Sequence, residues 1–166
     1  MTEVTFKSKT RFIVLFAAAA IAFGIFYLAD PQITSMDEEV AAVQIGQRYL
    51  RRHDYDEAVR SLVEAAQKYP QNPDIRYHLG LAYDGLNQHY VAVSQYSLAL
   101  RYNQYLPGAV YEMGKEYVQS NQMNSAQEML ARLQSTCARG MGCAERDALA
   151  AAMAKQRAMQ DLEKRN

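Results

Sequence analysis

The sequence predicts an all-α solenoid: three helix-turn-helix repeats and a C-terminal capping helix, preceded by one N-terminal transmembrane helix. Three observations carry this expectation. Gly46, Gly80 and Gly114 stand 34 residues apart, twice over, each at the head of the same residue pattern. Every unit of that pattern breaks twice into helix-length pieces. Near the N-terminus, eighteen residues from Phe12 to Ala29 run without a charge.

With 166 residues the chain is long enough for one domain with a true core and an appendage. About half the residues are apolar (49%), with only 8 Gly and 4 Pro, a balance that favours a helical domain over a β-rich or disordered one. The formal net charge is zero, so nothing points to nucleic acid, which requires a basic stripe to displace counterions from phosphates.

The first element is FIVLFAAAAIAFGIFYLA, residues 12–29. As a helix it spans about 27 Å, close to the hydrocarbon thickness of about 30 Å. Lys7, Lys9 and Arg11 precede it, whereas Asp30, Asp37, Glu38 and Glu39 come after it. The positive-inside bias therefore places residues 1–11 in the cytoplasm and the remainder across the membrane. A cleaved signal peptide is the competing reading, because Ala20-Ile21-Ala22 resembles a cleavage site. Cutting there would leave a mature chain beginning with the apolar FGIFYLA, which favours an uncleaved anchor.

Residues 30–38 read as a linker, with Ser35 and Glu38 fitting a capping box for the first helix. The repeats then occupy 39–72, 73–106 and 107–140. Behind the three glycines stand Tyr49, Tyr83 and Tyr117, then Ala58, Ala92 and Ala126, then Leu62, Tyr96 and Leu130, then Ala65, Ala99 and Leu133. Small residues let two helices of a hairpin approach closely, and the larger ones fill the volume between hairpins. His53-Asp54, Asn87-Gln88 and Asn121-Gln122 interrupt the apolar period inside each unit. Asn suits the left-handed conformation that ends a helix, and Asp54 with Glu57 fits a capping box for the next one. Pro70-Gln71-Asn72-Pro73 and Leu106-Pro107 separate the units, with Pro73 and Pro107 fitting a first helical turn.

On these residues the chain resembles the tetratricopeptide repeat (TPR) family, over roughly Glu39 to Gly140. It departs from the family pattern where Trp is usual, at Ala42, Arg76 and Val110, and in keeping the terminal proline only as Pro70. The resemblance implies a TPR-type α-solenoid whose first helices line a concave groove for a protein or peptide partner. In the family's register the groove residues are Gln44, Gln47 and Arg51, then Tyr77, Leu81 and Asp84, then Tyr111, Lys115 and Gln119. This set lacks the Lys, Arg and Asn cluster with which some such domains grip a C-terminal carboxylate.

Residues 141–166 read as the capping helix, with Leu149, Met153, Met159 and Leu162 as its apolar stripe. Cys137 and Cys143 flank the turn before it and do not form C-x-x-C. In an oxidising compartment a disulfide closing this turn is the favoured reading; buried free thiols and a regulatory or metal role are the alternatives. His53, His78 and His89 have no partner in metal-ligand spacing, so no metal or cofactor is expected. No nucleophile elbow, H-E-x-x-H or phosphate loop is present, and the chain reads as a non-enzyme.

The function these features imply is a scaffold or adaptor, held by a single-pass anchor in a bacterial inner membrane with its repeat domain in the periplasm. By resemblance to anchored members of the TPR family, it would serve envelope assembly, export or cytochrome maturation. A constitutive accessory subunit of an inner-membrane complex is the alternative, and a thiol-dependent redox factor built on the cysteine pair a third.

Overall fold

A computed structural model of the chain describes residues 31–165. The expected cytoplasmic segment 1–11 and anchor 12–29 lie outside the described residues. Among the described residues no helix is long and apolar enough to cross a membrane. The chain divides into two compact units, Met1–Glu38 and Glu39–Asn166, and the hairpin packing belongs to the second.

Seven α-helices and no strand are found among the described residues: α1 Pro31–Arg51, α2 Tyr55–Lys68, α3 Pro73–Gly85, α4 His89–Tyr102, α5 Pro107–Gln119, α6 Met123–Cys137 and α7 Cys143–Glu163. They pair as three hairpins, α1–α2, α3–α4 and α5–α6, and α7 packs on both α5 and α6.

The spacing of small residues explains the pairing. A Cβ on Gly46 would lie 2.4 Å from Leu62 Cδ2, and one on Gly80 would lie 2.4 Å from Tyr96 Cε1. The two helices of each of these hairpins therefore meet at a point where only a glycine fits. Ala58, Ala92 and Ala126 are fully buried, as are Leu62 and Tyr96. Two core clusters result, one around Leu62, Ile75 and Leu79, the other around Tyr96, Val110 and Leu133. Tyr83 packs against both and joins them.

The turns inside the hairpins share one conformation. His53, Asn87 and Asn121 have φ of 60°, 59° and 60°, the left-handed region that ends a helix. The next backbone N–H in each case returns to the carbonyl of the recurring tyrosine: Asp54 to Tyr49 (3.0 Å), Gln88 to Tyr83 (2.8 Å) and Gln122 to Tyr117 (2.7 Å). The tyrosine position thus marks the last helical turn as well as a packing site.

Three local expectations are corrected. The segment 30–38 reads as a linker in the sequence, but α1 is already helical from Pro31. Pro31 suits a first turn and no glycine occurs between it and Gly46, so the helix extends upstream and Ser35 lies within it rather than capping it. Asp54 makes no side-chain cap: its ψ of 65° is not the extended geometry that aims a capping oxygen at the helix. Glu57 pairs instead with Arg60. Of the stripe assigned to the last helix, Leu149 and Met153 are buried, whereas Met159 and Leu162 are exposed.

Between units, Asn72 does what a cap requires. Its side-chain oxygen accepts from the backbone N–H groups of Asp74 (2.7 Å) and Ile75 (2.9 Å), with Pro73 behind it at the first helical position. Its amide also donates to Glu39 Oε1 at 2.6 Å, tying the start of α3 to α1. Cys137 and Cys143 are joined by a disulfide that closes the turn from α6 to α7, where Gly140 and Gly142 adopt positive φ.

Candidate functional site

The first helices α1, α3 and α5 are joined side by side through residues that the register assigns to the groove and through His78 beside them. Gln47 on α1 donates through Nε2 to His78 Nε2 on α3 at 3.0 Å. Asp84 on α3 pairs with Lys115 on α5 at 3.1 Å, and Lys115 also reaches Glu112 at 2.5 Å. Tyr77 on α3 lies across the start of α5: a Cβ on Gly108 would stand 2.7 Å from the Tyr77 hydroxyl. The Tyr77 ring is also 6.1 Å, centroid to centroid, from that of Tyr96.

These residues differ in what they offer a ligand. Gln44, Arg51 and Gln119 are exposed, while Tyr77, Leu81 and Tyr111 are half-buried, each with one side packed on the core. Asp84 and Lys115 are brought together and neutralise each other in part. The surface is therefore amphipathic, with two tyrosine rings along α3 and α5.

Burial and charge tune this surface. Tyr77 is pushed up to about 12 by burial, with Glu112 and Glu145 adding to the effect. Lys115 is lowered by its burial, yet its hydrogen bond and charge pairing with Glu112 and then Asp84 outweigh that and hold it above the usual lysine value. It stays charged.

His78 is held below the ordinary histidine value, chiefly by burial. Its geometry fits the neutral ring: Nδ1–H donates to the Asp74 carbonyl at 2.7 Å, and Nε2 accepts from Gln47. With the folded pKa depressed, the unfolded chain takes up the proton first as pH falls. The His78 contribution is therefore complete above the unfolded pKa of about 6.5 and declines on acidification toward the folded value. Denaturation midpoints should fall between about pH 7.5 and pH 5.5, and His78→Gln should flatten that slope. An unchanged slope would show that the ring is charged or solvated in the fold.

A second cluster lies where the second and third hairpins meet. His89, the first residue of α4, places Nδ1 2.8 Å from Asp84 Oδ1 and 3.2 Å from Glu116 Oε2. Glu116 is only 7% exposed, and its carboxyl is raised above the usual carboxylate range by burial and then by Asp84. A cavity of about 480 Å3 opens beside it, lined by His89, Tyr90, Val93, Glu116 and Tyr117 among others, including the groove residue Gln119. Sequence spacing conceals this group. Asp84 and His89 lie on either side of a turn, and Glu116 comes from the next repeat, so only the stacking of hairpins unites them.

Residues 46–87 match the protein family described as TPR repeat. No curated protein matches the chain. Among solved structures, it is similar to the TPR2B domain of yeast Sti1 in complex with pHsp70, at 19% identity, covering 71% of this chain and 97% of that one with a TM-score of 0.65. It is likewise similar to the Sgt2 TPR domain from Aspergillus fumigatus, at 20% identity, 78% and 83% coverage and a TM-score of 0.63. The first TPR of Spaghetti (RPAP3), bound to the HSP90 peptide SRMEEVD, matches at 21% identity, 71% and 94% coverage and a TM-score of 0.60. The chain therefore has the tetratricopeptide repeat fold, and residues 46–87 carry the repeat signature.

Proposed function

We propose that the chain is a non-enzymatic adaptor that binds a protein or peptide segment along α1, α3 and α5, while its N-terminus tethers it to a bacterial inner membrane with the repeats in the periplasm. One observation carries the binding half of this reading: the first helices are joined through Gln47–His78 and Asp84–Lys115, with Tyr77 on α3 and Tyr111 on α5 half-buried beside them. Half-buried tyrosine contributes contact area at low entropic cost. The similar domains of Sti1 and Spaghetti are described with pHsp70 and an HSP90 peptide, which supports a protein ligand here as well.

The ligand differs in chemistry from an acidic chain terminus. Lys115 is already engaged by Asp84 and Glu112, so this cation in the middle of the surface is not free to grip a carboxylate. An internal segment with apolar and basic side chains fits it better. The tethering half rests on residues 12–29 and the Lys7, Lys9 and Arg11 that precede them. Tethering raises effective concentration, so modest affinity suffices.

A photo-crosslinking residue at position 77 or 111 is expected to capture a partner protein in cells, whereas one at Arg60, exposed on the second helix α2, is expected to capture little. Capture confined to position 60 would rule out the groove. A partner that stays stoichiometric through mild detergent and high salt would favour the accessory-subunit reading. For the compartment, a reporter fused after Asn166 that is active only when exported should be active. Inactivity would place the repeats on the side of Lys7.

A further inference from the structure

The Asp84–His89–Glu116 cluster sets two carboxylates beside one imidazole, with Lys115 shared between Asp84 and Glu112. Its three ligand-type atoms come from three helices and lie within 4.8 Å of one another. Glu116 is the telling member. It is nine-tenths buried, and its Oε1 has no hydrogen-bond partner. A carboxyl oxygen shut away without a partner is costly, and such groups call for a missing cation or donor.

We propose that Asp84, His89 and Glu116 bind a divalent transition-metal ion of the zinc type at the edge between the second and third hairpins. The donor set, one imidazole nitrogen with two carboxylate oxygens, suits zinc rather than calcium or magnesium, which prefer oxygen alone. Zinc bonds of about 2.0–2.2 Å in a tetrahedron set neighbouring ligand atoms about 3.3 Å apart. The existing separations of 2.8 Å and 3.2 Å from His89 Nδ1 need only small adjustment. Binding would displace the proton of Nδ1 and place the ion between Asp84 Oδ1 and Glu116.

The surroundings support this use. Lys115 holds the other oxygen of Asp84, Oδ2, at 3.1 Å, which fixes the carboxylate while leaving Oδ1 turned to His89. Three protein ligands leave a fourth position, and the adjoining cavity admits a water or a partner's side chain to fill it. The opposing explanation is a protonated His89 shared by the two carboxylates. A single Nδ1–H cannot serve both oxygens fully, nor does it reach Glu116 Oε1. The metal site shares Asp84 with the proposed peptide-binding surface, but its readout is the metal alone and neither Tyr77 nor Tyr111 belongs to it, so either proposal can fail without the other.

The test uses the purified full chain in mild detergent, titrated with zinc alone and, for its visible absorption, with cobalt(II) alone. One saturable equivalent is expected, with a cobalt spectrum characteristic of low coordination number and a rise in melting temperature on adding zinc. His89→Gln and Glu116→Gln should each weaken binding by at least about tenfold, while His53→Gln leaves it unchanged. Circular dichroism of the metal-free variants checks that they fold, and His89→Gln keeps a hydrogen-bonding side chain for that purpose. Absence of a saturable equivalent overturns the proposal. So does equal binding by folded His89→Gln, and so does a pH-dependent melting change at His89 with no response to zinc, the signature of the protonated cluster.

Discussion

Tyr96→Ala is expected to lower stability by about 3–5 kcal/mol, whereas Tyr96→Phe is expected to leave it unchanged or raise it. The ring is fully buried, faces Gly80 at the crossing of α3 and α4, and packs among Ala92, Ala99, Val110 and Met113. Removing it opens a cavity at a point where glycine has already let two helices close in, so the surroundings have little room to collapse. The hydroxyl is another matter. It is buried without a hydrogen-bond partner, and burial together with Glu112 and Asp84 makes its ionisation still less favourable. Deleting it removes a desolvated polar group and no bond. Chemical denaturation of the two variants tests both halves. A loss of more than about 1 kcal/mol in Tyr96→Phe would reveal a partner for that oxygen.

Leu149→Ala is expected to cost about 2–5 kcal/mol, although the residue lies outside the three repeats. In the first two hairpins the glycine of the first helix is faced by its own second helix, through Leu62 and Tyr96. In the third, the nearest atom to a Cβ on Gly114 would be Leu149 Cδ2 at 2.5 Å, contributed by α7. The last helix thus completes the third hairpin rather than merely covering it. Hydrogen exchange in Leu149→Ala should accelerate across α5 and α6 as well as α7. The control Met159→Ala, at an exposed position, should change stability by no more than about 0.5 kcal/mol. Loss confined to α7 would show that hairpin three closes without it.

Repetition explains what the sequence disclosed. Three copies of glycine, tyrosine and alanine at a fixed interval leave few structures that satisfy all of them, so the hairpins and their crossings were legible. Asn87 and Asn121 announced their left-handed turns by residue type. His53 adopts the same φ and was legible only by its place in the interval. Single-copy features were harder. Asp54 looked like a cap by composition, but the turn's dihedrals aim its side chain elsewhere. Asn72, which does cap, passed as part of a proline-flanked break. The groove residues came from register, and the structure joins Asp84 with Lys115, and Gln47 with His78, a residue outside the assigned set. The Asp84–His89–Glu116 group was invisible because Glu116 belongs to the repeat after the one that holds Asp84 and His89, and contact between repeats leaves no mark in the spacing within one.

Among the described residues, the main contacts between helices reach no further than the next hairpin, as when α3 meets α2 and α4, or α7 meets α5 and α6. Low sequence separation between touching residues means short loops to close, and such topologies assemble quickly. It also means that order need not be lost everywhere at once. Among the described residues the last helix, α7, meets only α5 and α6, so opening should begin at that end and reach the α3–α4 pair later.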